Sequence, residues 1–247
     1  MDEPLAGELA GGEARRFTAH LAAGDYVRVV VEQFGLDVAV SLDDPEGTER
    51  LRVDSPNGSV GPERLDFVAE ITGRHQLQIT AAEGVGRYEV RLEARRPATA
   101  QDREAGKAAK KFFEAEKFHL ARHFEAAIDA YGEAIESWQL LGEGAQEAYT
   151  HFKVGLINQR QHRWASAIEA YSKVVELFRQ LGGTDRLAPY VLNRLGTAYR
   201  ETLALEDASK AHEEALRLAR EFGEGREQAS ALNNLALIDR QQGRTRR

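Results

Sequence analysis

Two stretches of sequence decide the fold: RHFEAAIDAYGEAIESWQLLG at residues 122–142 and HRWASAIEAYSKVVELFRQLG at residues 162–182. They align at an offset of 40, and the identical pairs include Ala127 and Ala167, Ile128 and Ile168, Ala130 and Ala170, Tyr131 and Tyr171, and Gly142 and Gly182. A third copy at 203–223 follows at an offset of 41. Within each copy the apolar residues recur at the 3.6-residue period of an amphipathic helix. A repeat of this length in helical segments predicts an array of stacked helical units.

A second helix is predicted in front of each copy. These preceding segments, 108–120, 147–161, 188–203 and 228–243, align so that one position always carries a small residue: Ala115, Gly155, Gly196 and Ala236. Glycine costs about 1 kcal/mol in a helix interior, so its use there indicates close approach of a neighbouring helix. The expected contacts across each hairpin are the alanines twelve residues later, Ala127, Ala167 and Ala208. The glycines that close the copies predict helix ends at Gly142, Gly182 and Gly223.

These segments resemble the tetratricopeptide repeat. The resemblance is carried by a small residue, an alanine twelve positions on and an aromatic residue four further, as in Gly155–Ala167–Tyr171; the third copy has His212 at the aromatic position. The period exceeds the usual length of about 34 residues, as in the longer-helix subclass with LNNLG-type helices. The resemblance covers about residues 101–243. It implies an α-α superhelix over 101–247 with about 3.5 hairpins, expected to be C-terminally truncated, whose concave face binds a peptide or protein partner.

The first segment, residues 1–97, is predicted to be a separate β domain. Runs rich in β-branched residues alternate with turn signals, at 26–33, 36–42, 64–71, 75–80 and 87–93, with weaker strands near 5–10, 15–21 and 48–53. About eight short strands at this spacing predict an antiparallel, jelly-roll-like β-sandwich. Charge also changes along the chain: residues 1–96 carry 11 basic and 18 acidic residues, whereas the remainder carries 22 of each. The fold class expected is therefore multidomain β followed by α.

The combination of the two domains resembles a wider group of bacterial proteins. The residues concerned are RVVVEQFGLDVAVSLDDPEG at 28–47, VDSPNG at 53–58 and GRYEVRLEARRPAT at 86–99, followed by the repeats. The sandwich is similar to bacterial pre-peptidase C-terminal domains, and the whole is similar to the N-terminal part of proteins that end in a caspase-like CHAT protease domain. This resemblance implies that a protease would lie beyond residue 247 and that the repeats would regulate it.

The first helix of each hairpin is expected to line the concave side, and it carries the candidate binding residues. Asn193 and Asn233 share one repeat position, where the earlier copies have Phe112 and Phe152. Amide and basic side chains on the same face complete the predicted peptide-binding set: Asn193, Arg194, Arg200, Asn233, Asn234, Arg240, Lys153 and Gln159. An asparagine amide both donates to and accepts from a peptide backbone, and an arginine binds a carboxylate bidentately. The alternative is an asparagine ladder that ties adjacent repeats together without a ligand.

Metal and modification motifs are weak. The acidic residues of the β segment, Asp37, Asp43, Asp44 and Asp54, suit calcium as ligands, but no loop has an EF-hand-like spacing and turn initiation is the simpler explanation. His119 and His123 have the spacing of zinc ligands on a helix but lack a third ligand. The sequon at 57–59 is explained more simply by an Asn-Gly hairpin turn. The sequence therefore predicts neither a metal nor a cofactor.

Composition and missing motifs exclude several classes of protein. The chain has no cysteine, which excludes disulfides and a cysteine nucleophile within it. It has no nucleophile elbow, zinc-protease motif or Walker loop, so we do not expect an enzyme. Neither half is basic enough to indicate nucleic-acid binding, and no apolar run is long enough for a membrane span. The start has no signal peptide, which predicts the cytoplasm if the chain is complete and the periplasm or secretion if a signal peptide was removed.

The predicted function is therefore a non-catalytic protein–protein interaction module. Two alternatives stay open. In one, the acidic sandwich binds calcium or a glycan and the repeats act as a spacer. In the other, the chain is a self-assembly scaffold that associates through its uncapped C-terminal repeat.

Overall fold

Two long strands organise the N-terminal sheet, β3 (Asp25–Asp43) and β6 (Gly73–Pro97). They pair antiparallel from Asp25 opposite Pro97 to Asp43 opposite Gln76. Four shorter strands complete the sheet: β1 (Leu5–Ala10), β2 (Ala14–Leu21), β4 (Glu49–Val53) and β5 (Val60–Val68). β1 and β2 pair with successive parts of β6, and β5 and β4 pair with successive parts of β3. This computed structural model describes residues 5–54, 60–182 and 185–243.

Glycines allow both long strands to bend at the same level of the sheet. Gly35 of β3 and Gly84 of β6 have φ values of +78° and +88°, which residues with a side chain rarely adopt. A Cβ atom on Gly86 would overlap the carbonyl oxygen of Phe34 on the neighbouring strand. The bent sheet curls around an apolar core that includes Val31, Leu36, Val38, Val40, Leu65, Ile79 and Tyr88.

The predicted fold class, antiparallel β followed by α, is confirmed. The described residues form six strands rather than about eight, because the segments predicted on either side of residues 34–35 and of 83–86 are continuous strands. The glycines that predicted turns at those places produce bends inside β3 and β6 instead. The Asn57-Gly58 turn and the sequon at 57–59 lie outside the described residues. Asp44 initiates the turn after β3, since it accepts hydrogen bonds from the backbone N–H of Glu46 at 2.8 Å and of Thr48 at 2.9 Å.

Helix α1 (Ala100–Leu120) begins with a reciprocal cap. The Thr99 hydroxyl accepts from the Asp102 backbone N–H at 3.2 Å, and the Asp102 carboxylate accepts from the Thr99 backbone N–H at 2.7 Å. Arg96 binds the same carboxylate with two N–H groups, and this contact lowers the pKa of Asp102. The helix then packs Phe113 and Ala109 against the apolar core of the sheet.

The chain divides into two compact units, residues 1–117 and 118–247. Most of α1 lies in the first unit because Phe113 belongs to the core of the sheet. In sequence pattern α1 belongs with the helices, and in packing it belongs with the strands. The domain limits 1–97 and 101–247 therefore stay a prediction.

The second unit consists of helices that pack on one another in chain order. They are α2 (Phe124–Leu141), α3 (Gly144–Arg160), α4 (Trp164–Gln180), α5 (Ala188–Glu201), α6 (Leu205–Phe222) and α7 (Gly225–Gln241). Gly142 and Gly223 end α2 and α6 in the left-handed conformation, with φ of +71° and +73°, as their sequence positions predicted. α4 ends two residues before Gly182. The apolar core of this unit includes Phe152, Tyr171, Val174, Phe178, Leu192 and Leu195.

Candidate functional site

The spacing between small and aromatic residues that recurs in the repeats is explained by direct contact inside each hairpin. A Cβ atom on Gly155 of α3 would lie 2.7 Å from Cδ1 of Tyr171 on α4. On Gly196 of α5 it would lie 2.6 Å from Nε2 of His212 on α6. The small residues are therefore needed for close helix approach, as predicted. Their nearest neighbour is the ring four residues beyond the predicted alanine, Tyr171 for Gly155 and His212 for Gly196.

Ala236 of α7 has the same repeat position but a different environment. It is exposed, whereas Gly155 and Gly196 are buried. Among the described residues, no helix follows α7, so the face that α3 and α5 use for their hairpin partner is uncovered there. Leu232 is 50% exposed for the same reason, while its counterpart Leu192 in α5 is 4% exposed.

Asn193 lies at the junction of three helices. Its side-chain N–H groups donate to the backbone oxygen of Glu227 at 3.1 Å and to the Glu227 carboxylate at 2.8 Å. Its side-chain oxygen lies 3.1 Å from Nδ1 of His212. Because the amide nitrogen is used by Glu227, the oxygen is the acceptor and His212 carries its proton on Nδ1. The contacts of Asn193 join α5 to α6 and α7, and the choice between a peptide-binding role and the ladder alternative stays a prediction.

His212 is buried and electrically neutral. Burial, with a smaller contribution from the charge of Arg200, lowers the pKa of His212 to about 4 from an ordinary value of 6.5. Its Nε2 faces Gly196 and has no hydrogen-bond partner among the described residues. In the preceding hairpin the equivalent Tyr171 donates its hydroxyl to Gln159 at 2.7 Å.

The structure brings Asn193 and Arg194 together at one small cavity. The cavity has a volume of about 180 Å³ and is lined by Tyr190, Asn193, Arg194, Thr197, Arg226, Glu227 and Ser230. Arg194 stacks on the Tyr190 ring, 4.7 Å from its centre, and donates to the Tyr190 hydroxyl at 2.6 Å. Sequence reasoning missed Tyr190 and Thr197, although they lie three residues before and four after Asn193 on the same helical face.

The other candidate residues are dispersed along the repeats. Lys153 stacks on Tyr149, with Nζ 5.1 Å from the ring centre. Gln159 accepts from the buried Tyr171 hydroxyl, and Arg200 pairs with Glu201 at 2.9 Å. On α7, Asn233 and Arg240 are exposed and Asn234 is half-buried. The role of all eight residues in peptide binding stays a prediction.

The described residues contain no group of three or more histidine, aspartate or glutamate side chains placed to hold a metal ion. None of the described helices has the length and apolar character that crossing a bilayer requires.

Comparison with known proteins shows similarities for the helical part of the chain. Residues 146–221 match the family model of the tetratricopeptide repeat. No curated protein matches the sequence at a significant level. Among solved structures, the aspartyl phosphate phosphatase F from Bacillus subtilis superposes with a TM-score of 0.52 at 13% identity, over 57% of this chain and 36% of that chain.

Two further solved structures are similar. The apo form of RapI has a TM-score of 0.53 and 17% identity, over 57% of this chain and 39% of that chain. BtubC from P. vanneervenii has a TM-score of 0.52 and 19% identity, over 62% of this chain and 61% of that chain. The chain thus spans less than two thirds of each of these proteins, and at such identities the likeness shows the fold alone. The helical array is therefore similar to tetratricopeptide repeats, and this similarity supports a protein-interaction module.

Proposed function

We propose that the face formed by α3, α5 and α7 binds a segment of a partner protein that carries acidic side chains. The observation that carries this proposal is a pair of contacts repeated along the array. Lys153 lies over Tyr149 in α3, and Arg194 lies over Tyr190 in α5; the two lysine and arginine positions, and the two tyrosine positions, are each one repeat of 41 residues apart. Each tyrosine orients a cation toward the same side of the array. We call these four residues the cation–tyrosine ladder.

Arg194 is the best-oriented member of the ladder. The 2.6 Å bond to the Tyr190 hydroxyl uses a single one of its five N–H donors and fixes the plane of the guanidinium group. A guanidinium held in place loses less conformational entropy when it binds a carboxylate bidentately. Arg226 is exposed at the same cavity and adds a second positive charge. This arrangement suits a glutamate or aspartate side chain of an extended or helical segment.

Asn193 supports this site through its neighbours. Its bonds to Glu227 hold the start of α7 against α5, and Glu227 and Arg226 form one side of the cavity. We therefore assign Asn193 the role of positioning the cavity wall. A direct contact between Asn193 and a ligand, predicted from the sequence, is a separate proposal.

A binding experiment with labelled peptides tests the proposal. The probes are short fluorescein-labelled peptides that alternate glutamate with leucine, and matched peptides with glutamine in place of glutamate. The fluorescence anisotropy of the glutamate peptides is expected to rise when the whole chain is added. The affinity should fall as the salt concentration rises. Arg194→Ala is expected to weaken binding by about tenfold, which corresponds to 1.4 kcal/mol, and Lys153→Ala to weaken it less.

Lys210→Ala provides the matched control, because Lys210 is an exposed cation on α6. It should leave the affinity unchanged. Equal binding of the glutamate and glutamine peptides, or equal loss in the Arg194 and Lys210 variants, would contradict the assignment. Failure of both kinds of peptide to bind would also contradict the assignment.

Self-association is a second candidate, favoured by the uncovered face of α7. Leu232, Ala236 and Asn233 are exposed there, although their counterparts in α5 are buried. A second copy of the chain that covers this face would make the molecular mass depend on concentration in analytical ultracentrifugation. Leu232→Glu should then shift the equilibrium to monomer. A constant monomer mass for the unaltered chain would exclude this candidate.

The finer functional predictions also belong to this proposal. A non-catalytic role, regulation of a CHAT-type protease, and kinship of the β domain with pre-peptidase C-terminal domains all rest on the sequence resemblance. Their support from the structure is limited to an antiparallel β domain followed by tetratricopeptide repeats. Calcium or glycan binding by the β domain is an alternative that no contact of the described residues favours.

A further inference from the structure

The core of the first unit is incompletely filled where α1 crosses the sheet. A cavity of about 450 Å³ lies between α1 and strands β3, β4 and β5. β4 and β5 are edge strands, since β3 is the one described strand with which each of them pairs. Gly106 faces the cavity from α1, and a Cβ atom there would reach Val68 of β5 at 3.7 Å. The helix thus covers the open side of the curled sheet without filling it.

The inner wall of this cavity is apolar. It is formed by side chains from both long and short strands and from the loop before β6: Leu42, Leu51, Phe67, Val68 and Ile71. Leu42, Leu51 and Phe67 belong to the apolar core and are at most 9% exposed. His75 lies beside them, with its ring centre 6.2 Å from that of Phe67. An apolar ligand body would therefore contact ordered core side chains.

The charged side chains at the cavity are unbalanced. Four bases line it, Arg50, Arg103, Lys107 and Lys110, against two acids, Asp44 and Glu70. Both acids are already paired, Asp44 with Arg50 and Glu70 with Lys110. Arg103 has no ion-pair partner among the described residues, and Lys107 pairs only with the exposed Glu104, outside the lining. A positive cavity stands out in a segment whose residues 1–96 carry 18 acids and 11 bases.

We propose that this cavity binds a small amphipathic anion, a carboxylate with an aliphatic chain. The aliphatic chain of this ligand lies against Leu42, Leu51 and Phe67, and its carboxylate lies between Arg103 and Lys107. The volume falls within the range of roughly 300–1,000 Å³ that small-molecule sites occupy. The Arg103 guanidinium is near the turn before β3, since a Cβ atom on Gly24 would lie 3.9 Å from its Nη2. Arg103, which has no ion-pair partner among the described residues, and Lys107, whose partner Glu104 is exposed, provide charge-assisted bonds for the head group, and the apolar wall buries the aliphatic chain.

Calorimetric titration of the whole chain with octanoate, below its micelle concentration, tests the site. Octanoate is expected to bind, and octylammonium, with the same chain and the opposite charge, is not. The double variant Arg103→Gln/Lys107→Gln is expected to weaken octanoate binding at least tenfold. Both side chains are exposed, so the fold should persist. Gly106→Leu should abolish binding by filling the cavity.

Arg64→Gln is the matched control, because Arg64 is an exposed arginine of β5 outside the cavity lining. Unchanged affinity in this variant, with loss in the double variant, supports the assignment. No heat of binding with octanoate would overturn it, as would equal binding of octanoate and octylammonium. Binding of a peptide carboxyl terminus in place of octanoate would also overturn it and would assign the cavity to a protein ligand.

Discussion

The side-chain oxygen of Asn193 accepts a hydrogen bond from Nδ1 of His212 at 3.1 Å, and both residues are buried within the third hairpin. The same asparagine donates to Glu227 in the next helix. A single amide thus connects two helices of one hairpin with the first helix of the next. In the preceding hairpin its place is taken by Phe152, whose ring packs against Tyr190 at 5.7 Å. The contact between repeats therefore changes from aromatic to hydrogen-bonded along the array.

Asn193→Ala is expected to destabilise the second unit by about 1–3 kcal/mol, because it leaves polar groups of the buried His212 and the half-buried Glu227 without their partner. Urea unfolding followed by tryptophan fluorescence measures this unit alone, since both tryptophans, Trp138 and Trp164, lie in it. Asn233→Ala is the control at the same repeat position. Asn233 is exposed, so the change should be within about 0.5 kcal/mol. Equal effects of the two substitutions would contradict the role assigned to Asn193.

His212 should make the second unit sensitive to acid. Its pKa in the folded chain, about 4, is below the unfolded value near 6.5, so the unfolded state binds more protons between these limits. Its stabilising contribution is present above about pH 6.5 and is lost as the pH falls toward 4, by at most about 3 kcal/mol. A comparison between variants isolates the contribution of His212.

His212→Tyr restores the residue of the two earlier hairpins and removes the titrating group. The free energy of unfolding, measured by urea at pH 7 and pH 4.5, should fall less in this variant than in the unaltered chain. His20→Gln, an exposed histidine of β2, is the control and should leave the pH dependence of the second unit unchanged. A parallel loss of stability in all three proteins would show that His212 is not the responsible group.

Two helical glycines should respond to alanine in opposite directions. Gly155→Ala places a Cβ atom against the buried Tyr171 ring and is expected to destabilise the second unit by about 1–3 kcal/mol. Gly132 of α2 has no atom within 4 Å of its would-be Cβ, so Gly132→Ala should stabilise by about 0.5–1 kcal/mol through helix propensity alone. Thermal unfolding of both variants checks the pair. A stabilising Gly155→Ala would mean that the two helices are not in close contact there.

The parts of the fold that the sequence predicted are those set by local periodicity. The helices were predicted from apolar residues that recur every 3.6 residues. The close approach of the two helices in a hairpin was predicted from Gly155 and Gly196. The turns predicted near Gly35 and Gly84 were wrong, because a glycine permits a turn between two strands and a bend within one strand equally well. Which neighbour pairs with a long strand depends on contacts far apart in the chain, and no local pattern records them.

The candidate site was less predictable for the same reason. Asn193 and Arg194 were recognised by their repeat position, but Glu227, which binds Asn193, follows it by 34 residues on another helix. A sequence pattern places residues on a face and does not show which polar groups are already satisfied within the fold. Arg200 and Gln159 illustrate this, since they lie close to Glu201 and Tyr171 respectively.

The packing of α1 on the sheet gives the last prediction. Phe113 is 7% exposed and belongs to the core of the first unit, so Phe113→Ala should destabilise that unit by about 3–5 kcal/mol. Amide hydrogen exchange of β3 measures the loss, because these amides become labile when the sheet opens. Glu114→Ala, at an exposed neighbouring position on α1, should leave the exchange unchanged. Undiminished protection of β3 in the Phe113 variant would show that α1 is not part of the sheet's core, and would return the domain boundary to residue 97.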